Sequence, residues 1–400
     1  VIPNFLKFRE VPLKLTIHLK VSEKTNREKL LKFEELYSKY QMALSLFYNY
    51  ARDNKVYELR KKTLIERELQ KLYYTVKESL ALHSQLVQSA RRDIANDIVS
   101  WLEVGGEYPK LNEKPVTLVY GRSYRLFEHG KEFKLWAKIC GIPYPLEPGD
   151  RQLELIRKAK KIGEATLFKR DGKWYLNVSV EIQESKPINP KGVLGVDLGL
   201  KNTAVIAGSK PIFIKHRHLL YKITRYWKQI DKLKSKLPKG QRTSKRIKKL
   251  WRKIARINDF IAHDTSAKIV QIAVQSQKAI ALERLEVPNN GYNRVWSRRL
   301  SNWVRGKIIR YVQYKAKLNG IPVILVNPAY SSRKCHVCGG DGERFSSTFK
   351  CKVCGRTYNA DFNASVNIAR GAMSLLARRR NPASVGLRND GRKLPTFSGE

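Results

Sequence analysis

The amino-acid sequence predicts a multidomain α/β protein, and three observations support that fold class. The chain of 400 residues is longer than most single domains, and 42% of its residues are apolar, sufficient for more than one core. Its first half changes from the hydrophobic period of a strand to that of helices and back again. Its second half alternates short apolar segments with helical ones.

The chain opens with a predicted β-strand. Residues 13–21 alternate strictly between apolar and polar side chains, as in a strand with one buried face. From Thr25 the apolar period is helical, and Thr25 with Glu28 matches a capping box at a helix start. Helical patterning continues to about residue 102. We therefore predict a helical domain over residues 22–103, inserted after the first strand.

The segment from about residue 115 to 182 returns to β character. Asp171-Gly172 separates two apolar segments of this region, and this dipeptide is typical of a hairpin turn. The β segments before and after the helices are predicted to form one N-terminal β-barrel, made of residues 1–21 and 104–190.

The second half predicts an RNase H-like sheet. Three short apolar strands with Gly-containing turns predict a hairpin sheet, at residues 193–196, 203–207 and 211–214. Helical segments at about 216–277 and 295–318 then alternate with strands at 279–282 and 322–326. We assign residues 191–330 and 357–377 to this domain. Residues 378–400 have little periodicity and are predicted to be a flexible tail.

The net charge indicates a large polyanionic partner. The chain carries 79 Lys and Arg against 35 Asp and Glu, a net charge of +44, which favours nucleic acid. Anionic membrane is the competing interpretation. The sequence has no apolar run near 18 residues and no signal-like N-terminus, so we expect a cytoplasmic protein without a membrane partner.

The most basic segment is predicted to contact nucleic acid. Residues 215–256 contain seventeen Lys or Arg and one acid, Asp231, while an apolar stripe at helical spacing keeps the charges outside. The candidate contact residues are Lys245, Arg246, Lys248, Lys249 and Arg252. A merely solvated helix face is the alternative. His216 and His218 are interpreted as part of the same basic surface.

Three acids are candidate metal ligands and catalytic residues. Asp197 and Glu283 each end an apolar strand, where a buried carboxylate needs a partner or a cation, and Asp361 begins an amphipathic helix. Asp361 could also be an ordinary helix cap. Carboxylates from separate elements suit Mg²⁺, and two such ions about 3.5 to 4 Å apart support phosphodiester hydrolysis. We therefore predict two Mg²⁺ ions, with Mn²⁺ as a substitute.

Four cysteines predict one structural zinc ion. Two CxxC motifs, each followed by glycine, are separated by twelve residues, and four thiolates leave no open position for a substrate. The predicted ligands are Cys335, Cys338, Cys351 and Cys354, in a zinc-binding insert over residues 331–356. The fifth cysteine, Cys140, lies in apolar sequence and is predicted to be a small core residue.

The acidic segments carry a family resemblance. Gly195–Gly199, Glu283-Arg284-Leu285 and Asp361–Ser365 resemble the three RuvC motifs of TnpB proteins and of their relatives, the compact type V CRISPR effectors. That family also has a four-cysteine element between its second and third acidic motifs. The chain departs from the family at Arg284 and Glu286, where Asp and Asn are common, and at Asn359, which replaces an acid.

The resemblance implies a transposon-associated, RNA-guided DNA endonuclease. It implies a RuvC nuclease domain and an N-terminal β-barrel (wedge) interrupted by a helical recognition domain. It also implies a guide RNA and double-stranded target DNA as partners, and a monomeric ribonucleoprotein in the prokaryotic cytoplasm, located at the nucleoid when bound to DNA. The N-terminal domains would read a short flanking motif while base pairing specifies the rest. Two alternatives stay open: an RNA-independent RNase H-fold transposase or resolvase, and a nuclease-silent RNA-guided DNA-binding repressor.

Overall fold

The computed structural model describes residues 13–130, 132–199, 201–208, 210–238, 240–284, 304–327 and 332–380, with side chains up to residue 376. The chain divides after Gln183 into two compact units, and each is described by itself. Within the described residues, no helix is both long and apolar enough to span a membrane. The first residues of the predicted barrel, the start of the helix predicted at 295–318 and most of the predicted tail lie outside the described residues.

The first unit is a sheet interrupted by helices, as predicted. Its strands are β1 (Leu13–Val21), β2 (Val116–Leu118), β3 (Tyr124–Phe127), β4 (Leu135–Ile139), β5 (Ile142–Glu147), β6 (Ala159–Arg170) and β7 (Lys173–Ile182). They form one nearly closed, barrel-like sheet in the order β2-β6-β7-β1-β5-β4-β3. Strand β1 pairs with both β5 and β7, so the strand before the helices lies among those that follow them.

The inserted helices begin one residue later than the capping pattern predicts. They are α1 (Arg27–Asp53), α2 (Lys62–Gln70), α3 (Tyr73–Leu80) and α4 (Ser84–Val104), with a 3₁₀ turn at Val56–Leu59; a further helix, α5 (Asp150–Arg157), follows β5. Asn26 is the N-cap of α1, and its side chain accepts a hydrogen bond from the Glu28 backbone N–H at 3.0 Å. Thr25 instead donates to the Ser22 carbonyl, because its hydroxyl closes the preceding turn.

The predicted hairpin turn joins β6 and β7. Asp171 and Gly172 both have positive φ angles, 50° and 79°, as a type I′ turn requires. The turn sets the register in which Arg170 lies opposite Lys173 and Phe168 opposite Tyr175.

The second unit contains the predicted RNase H-like sheet. Its strands are β8 (Val193–Asp197), β9 (Ala204–Ile206), β10 (Ile212–Ile214), β11 (Ala279–Glu283) and β12 (Val323–Val326), in the order β10-β9-β8-β11-β12. The first three are antiparallel, and β11 lies parallel to both β8 and β12. Parallel pairing requires crossover connections, which contain the helices between β10 and β11 for the first pair and the helix between β11 and β12 for the second.

Four described helices pack around this sheet. They are α6 (Arg217–Lys234), α7 (Lys245–Ser276), α8 (Arg305–Leu318) and α9 (Ala360–Arg380). Buried isoleucines of α7 join the core of the unit, for example Ile247, Ile254 and Ile261. Helix α9 extends to Arg380, past the predicted start of the tail, because no residue that disfavours helix occurs between Gly371 and Asn381-Pro382.

One predicted surface residue is internal. His216 is buried, with its Nδ1 atom 3.0 Å from Thr203 Oγ1 and its Nε2 atom 2.9 Å from Asp264 Oδ2. The interpretation of His216 as part of the basic surface is wrong, because these polar partners satisfy the imidazole inside the unit. His218 is exposed, as expected.

The cysteine-containing insert forms a small antiparallel sheet. Its strands are β13 (Gly342–Phe345), β14 (Thr348–Cys351) and β15 (Thr357–Asn359), in that order. Strand β15 leads directly into α9, so the sheet extends three residues beyond the predicted insert boundary. The finer domain limits stay a prediction.

Candidate metal centres

Two of the predicted acids are neighbours because their strands are paired. Strands β8 and β11 lie parallel, and Val196 is the register partner of Leu282. The next residues are Asp197 and Glu283, which therefore emerge side by side at the carboxyl ends of the two strands. This edge of a parallel sheet is where ligands commonly bind in α/β folds.

The third acid reaches the same place through a close helix contact. Asp361 lies in the first turn of α9, which packs on β8. A Cβ atom built on Gly195 would lie 1.9 Å from the Ser365 carbonyl oxygen and 2.6 Å from the Ala369 nitrogen. Glycine is therefore required at position 195, and the absence of its side chain lets α9 lie directly on the strand that carries Asp197.

The start of α9 is fixed by a cap. The Asn359 side-chain oxygen accepts hydrogen bonds from the backbone N–H groups of Asp361 and Phe362, both at 3.1 Å. Asn359 thus satisfies orphan donors at the helix N-terminus, and Asp361 does not have to serve as the cap.

Two arginines pair with two of the three carboxylates. Arg305, the first residue of α8, donates from Nη2 to Glu283 Oε2 at 2.7 Å. Arg344, on β13, donates from Nη2 to Asp361 Oδ1 at 2.6 Å. Both carboxylates are largely buried, with side chains 12% and 6% exposed, so charge-assisted hydrogen bonds are needed to hold them.

Asp197 has a perturbed acidity. It forms no ion pair within the described part of the chain, although the other two acids do. Part of its side chain is exposed. Desolvation by the surrounding protein, then the negative charges of Glu283 and Asp361, raise the pKa of Asp197 from 3.8 to about 7. The two guanidinium groups oppose this rise without cancelling it.

These residues suit divalent cations. Three carboxylates face two guanidinium groups, which leaves an excess of negative charge, and a proton on Asp197 relieves it at neutral pH. A cation would relieve it equally well. The donor set is all oxygen, as Mg²⁺ and Mn²⁺ prefer. The ligand oxygen atoms of the three acids do not all lie within 4.8 Å of one another. Among the described residues, the only group of three or more His, Cys, Asp or Glu side chains that does so is the set of four cysteines. The acids are therefore spaced more widely than a single ion requires.

The four predicted zinc ligands do converge. Their sulfur atoms lie within 4.8 Å of one another, with Cys338 3.5 Å from Cys351 and Cys335 3.9 Å from Cys354. Tetrahedral zinc with bonds of about 2.3 Å would place sulfur atoms about 3.8 Å apart. Backbone N–H groups of Cys354 and Val353 lower the pKa of Cys351 to about 6, which favours the thiolate. The residues fit a structural zinc ion.

The zinc element is tied to the helix that carries Asp361. The Asn363 side-chain oxygen accepts from the His336 backbone N–H at 2.8 Å, and its Nδ2 donates to the Lys334 carbonyl at 2.8 Å. Asn367 Nδ2 donates to the same carbonyl at 2.7 Å. The first CxxC knuckle is therefore anchored to one face of α9.

The candidate nucleic-acid residues lie on the outside of α7. Lys245, Arg246, Lys248, Lys249 and Arg252 are all exposed. Between them, Ile247 and Ile254 are buried, as the predicted inward stripe requires. The structure brings these basic residues to one exposed helix surface and leaves their partner a prediction.

Sequence patterns missed Arg305, Arg344 and Asn202. Each contacts an acid of the site, and Asn202 Nδ2 lies 2.8 Å from Asp361 Oδ2. None belongs to a periodic pattern that distinguishes it from the other basic and polar residues of this chain. Only Asn202, five residues after Asp197, had a local signal in its nearness to the first acid.

Two family models match separate parts of the chain. Residues 306–368 match the family described as "Cas12f1-like, TNB domain", and residues 177–291 match "Probable transposase". The chain is 31% identical over 245 residues to the TnpB-like protein aq_aa05 of Aquifex aeolicus, and the match covers 54% of this chain and 80% of that relative.

The chain belongs to the TnpB-like family.

Other relatives match this chain over only about half of their own length. This TnpB-like chain is 30% identical over 223 residues to "CRISPR-associated endodeoxyribonuclease Cas12f1" of Sulfoacidibacillus thermotolerans, a match that spans half of each chain. It is 28% identical to "Putative RNA-guided DNA endonuclease InsQ" of Escherichia coli, covering 54% of this chain and 58% of that one. The chain therefore spans about half the length of several relatives it matches.

A solved structure supports the fold. The structure titled "Cryo-EM structure of the Cas12f1-sgRNA-target DNA complex" matches with a TM-score of 0.58 at 16% identity, covering 90% of this chain and 99% of that one. The TnpB-like chain therefore shares the fold of a Cas12f1 protein.

Proposed function

We propose that this protein is a transposon-associated, RNA-guided DNA endonuclease that hydrolyses phosphodiester bonds with divalent cations. The observation that carries the proposal is the meeting of Asp197, Glu283 and Asp361 at one edge of the RNase H-like sheet. The names of the relatives support it, since InsQ is described as a putative RNA-guided DNA endonuclease and Cas12f1 as an endodeoxyribonuclease.

Asp197, Glu283 and Asp361 would hold two Mg²⁺ ions, for which Mn²⁺ can substitute. Such ions activate water and stabilise the leaving oxygen of a phosphodiester. The chain itself contributes a largely buried cluster in which the acids are held by strand pairing and by the α9 contact at Gly195. Preorganisation of this kind lowers the cost of assembling the site for the reaction.

Arg344 and Arg305 are suited to bind the scissile phosphate. Their guanidinium groups now neutralise Asp361 and Glu283. When cations take over that neutralisation, the arginine donors can contact phosphate oxygens, for which their planar fork is well matched. Arg344 is 43% exposed, so it is the one of the pair with access to a substrate.

Guide RNA and double-stranded target DNA are the proposed partners. The net charge of +44 suits a protein that binds more than one nucleic-acid strand, and the similar Cas12f1 structure was determined with sgRNA and target DNA. Base pairing would supply most of the sequence specificity. We propose a monomeric ribonucleoprotein in the prokaryotic cytoplasm.

The first unit would read the flanking duplex motif, and one recess on it contains arginine and glutamine side chains. It is lined by Glu66, Gln85, Gln88, Arg91, Arg92 and Arg122. Arginine and glutamine are the side chains that pair with guanine and adenine edges in the major groove.

The basic surface of α7 would contact nucleic-acid phosphates. Charge reversal at Lys245, Arg246, Lys248 and Lys249 should weaken binding and flatten its dependence on salt. Each lost contact should reduce the log–log slope of affinity against salt by roughly 0.7 to 0.9. The melting temperature should be retained, because all four side chains are exposed. An unchanged slope would mean that this face is only solvated.

The decisive experiment sequences the RNA that copurifies with the protein and then tests cleavage. The loaded protein would be incubated with DNA that carries the guide-complementary sequence beside a randomised flank. We expect one RNA species, cleavage of a subset of flanks, and no cleavage by the Asp197→Ala variant. Cutting without RNA would instead support the transposase or resolvase alternative.

The nuclease-silent repressor is the less favoured alternative. A repressor has no need for the acids, yet all three candidate ligands are present and close in this chain. Guided DNA binding without any cleavage in Mg²⁺ or Mn²⁺ would reverse this preference.

A further inference from the structure

A buried asparagine lies beside the third acid. Asn202 is in the turn between β8 and β9 and is only 5% exposed. Its Nδ2 atom donates to Asp361 Oδ2 at 2.8 Å. The turn itself is closed by the main chain, with Gly199 N–H donating to the Asn202 carbonyl at 3.1 Å. The side chain is therefore not needed to form the turn, and it links the segment after the first acid to the third.

The other half of this amide has no hydrogen-bond partner among the described residues. Asn202 Oδ1 is buried, and no donor among the described residues reaches it. It belongs to the same planar amide as the nitrogen bound to Asp361, so it lies next to that carboxylate. Buried acceptors in native proteins are nearly always satisfied. A donor beyond the described residues is therefore expected at this position, and beside a carboxylate a cation-bound water molecule can supply it.

We propose that Asn202 is a positioning residue of the cation site. Its amide N–H fixes Asp361, and its oxygen accepts a hydrogen bond from a water molecule of the cation that Asp361 holds. Mg²⁺ gives up its water reluctantly and usually keeps several such ligands, which need acceptors around them. The inference rests on the proposed function, because it requires that Asp197, Glu283 and Asp361 bind a cation.

The adjacent residue offers a matched control. Thr203 is also buried, but its hydroxyl lies 3.0 Å from His216 Nδ1, in a network that continues to Asp264 and does not include the acids. Thr203→Val removes one buried polar group from the same turn at nearly constant volume. Asn202→Leu removes both polar functions of the amide, and Asn202→Asp keeps an acceptor oxygen at the same place.

The test is a Mn²⁺ titration followed by electron paramagnetic resonance, on full-length protein with its copurifying RNA. The signal of Asp197→Ala, which contains the same RNA, is subtracted to isolate the site. Asn202→Leu should weaken Mn²⁺ binding by about ten- to a hundredfold, the usual effect of removing a partner of a metal ligand. Thr203→Val should leave the affinity unchanged, and Asn202→Asp should stay closer to the parent than Asn202→Leu. Retained zinc shows that each variant is folded.

Three outcomes would count against these ideas in different ways. Equal Mn²⁺ binding by the parent and Asp197→Ala would overturn the cation site and with it the proposed function. Normal binding by Asn202→Leu would overturn the role of Asn202 alone. Equal weakening in Asn202→Asp and Asn202→Leu would overturn the role of the amide oxygen, since an acceptor in place should then have rescued binding.

Discussion

The two candidate metal centres are built in opposite ways. The four cysteines lie within twenty residues of sequence, from Cys335 to Cys354, and their sulfur atoms already converge. The three acids come from two strands and a helix separated by more than 160 residues, from Asp197 to Asp361, and two of them are paired with arginines. A local motif specifies its own geometry, whereas the carboxylate site depends on the packing of the whole unit.

This contrast also separates their chemistry. Four thiolates saturate a tetrahedral ion, so the cysteine site is closed to substrates. In the carboxylate site two acids are held by arginines and the pKa of Asp197 is raised to about 7, so we propose that the acids exchange these partners for cations. The first should therefore affect stability and the second activity, and the following predictions test that division.

The largest expected effect is loss of cleavage when an acid is removed. Asp197→Ala, Glu283→Ala and Asp361→Ala should each reduce the cleavage rate by about a thousandfold or more, because the charge that positions the cations is lost. Guided DNA binding should persist. Binding and cleavage would be measured on the same RNA-loaded preparations in Mg²⁺, Mn²⁺ and Ca²⁺, and Ca²⁺ should support cleavage poorly.

Asp259→Ala is the matched control for these variants. Asp259 lies on α7 of the same unit, is 46% exposed and pairs with Lys307 on the surface. Its removal should leave cleavage within a few-fold of the parent. Near-normal cutting by any of the three acid variants would remove that residue from the site.

Removal of a zinc ligand should affect folding first. Cys351→Ser should release zinc and destabilise the second unit by several kcal/mol, because the knuckles fold around the ion. Zinc content and thermal unfolding would be measured together. Cys140→Ser is the control, since Cys140 lies outside the cluster and burial raises its pKa to about 11. Full zinc content in Cys351→Ser would disprove the assignment.

The carboxylate site predicts a pH dependence of the cation-free protein. The pKa of Asp197 is raised from 3.8 to about 7, so the folded state holds a proton that the unfolded state releases. The stabilisation is fully present below about pH 4 and is lost as pH rises through 7, by at most about 4 kcal/mol. Thermal unfolding of the zinc-containing protein in buffer free of Mg²⁺ and Mn²⁺ and without a chelator, between pH 5 and 8, should show the decline.

Two comparisons identify the group that causes this decline in stability with pH. Asp197→Asn carries no titrating carboxyl group, so its stability should fall less over the same range. Saturating Mn²⁺ should also reduce the decline in the parent, because the ion competes with the proton. The same pH slope in Asp197→Asn would mean that another group is responsible.

The two centres also differ in how much the sequence predicted. All four zinc ligands followed from the CxxC spacing, and the strands ending at Asp197 and Glu283 followed from apolar runs before each acid. The arginines that pair with the acids, Arg305 and Arg344, could not be predicted in this way, because a contact between distant parts of the chain leaves no pattern in the local sequence. His216 was misplaced for the same reason: its partners are Thr203 and Asp264, in other elements.

The smallest expected effect comes from the addition of a single methyl group, which should disturb the carboxylate site and leave the zinc site intact. In Gly195→Ala the new Cβ atom would lie 1.9 Å from the Ser365 carbonyl oxygen, so α9 must move away from β8. Overpacking of this kind costs about 1 to 3 kcal/mol. Because Asp361 lies one turn before Ser365, its carboxylate should shift relative to Asp197, which lowers Mn²⁺ affinity and cleavage. The zinc site should be unaffected, because its ligands and their links to Asn363 and Asn367 move together with α9.

Gly371→Ala on the same helix is the control. Its new Cβ atom would be 3.9 Å from Val326, and Ala in place of helical Gly should stabilise the helix by roughly 0.5 to 1 kcal/mol. Zinc content, Mn²⁺ affinity and thermal unfolding would be measured for both variants. Loss of zinc in Gly195→Ala, or unchanged Mn²⁺ affinity, would show that the two centres are not divided as their construction indicates.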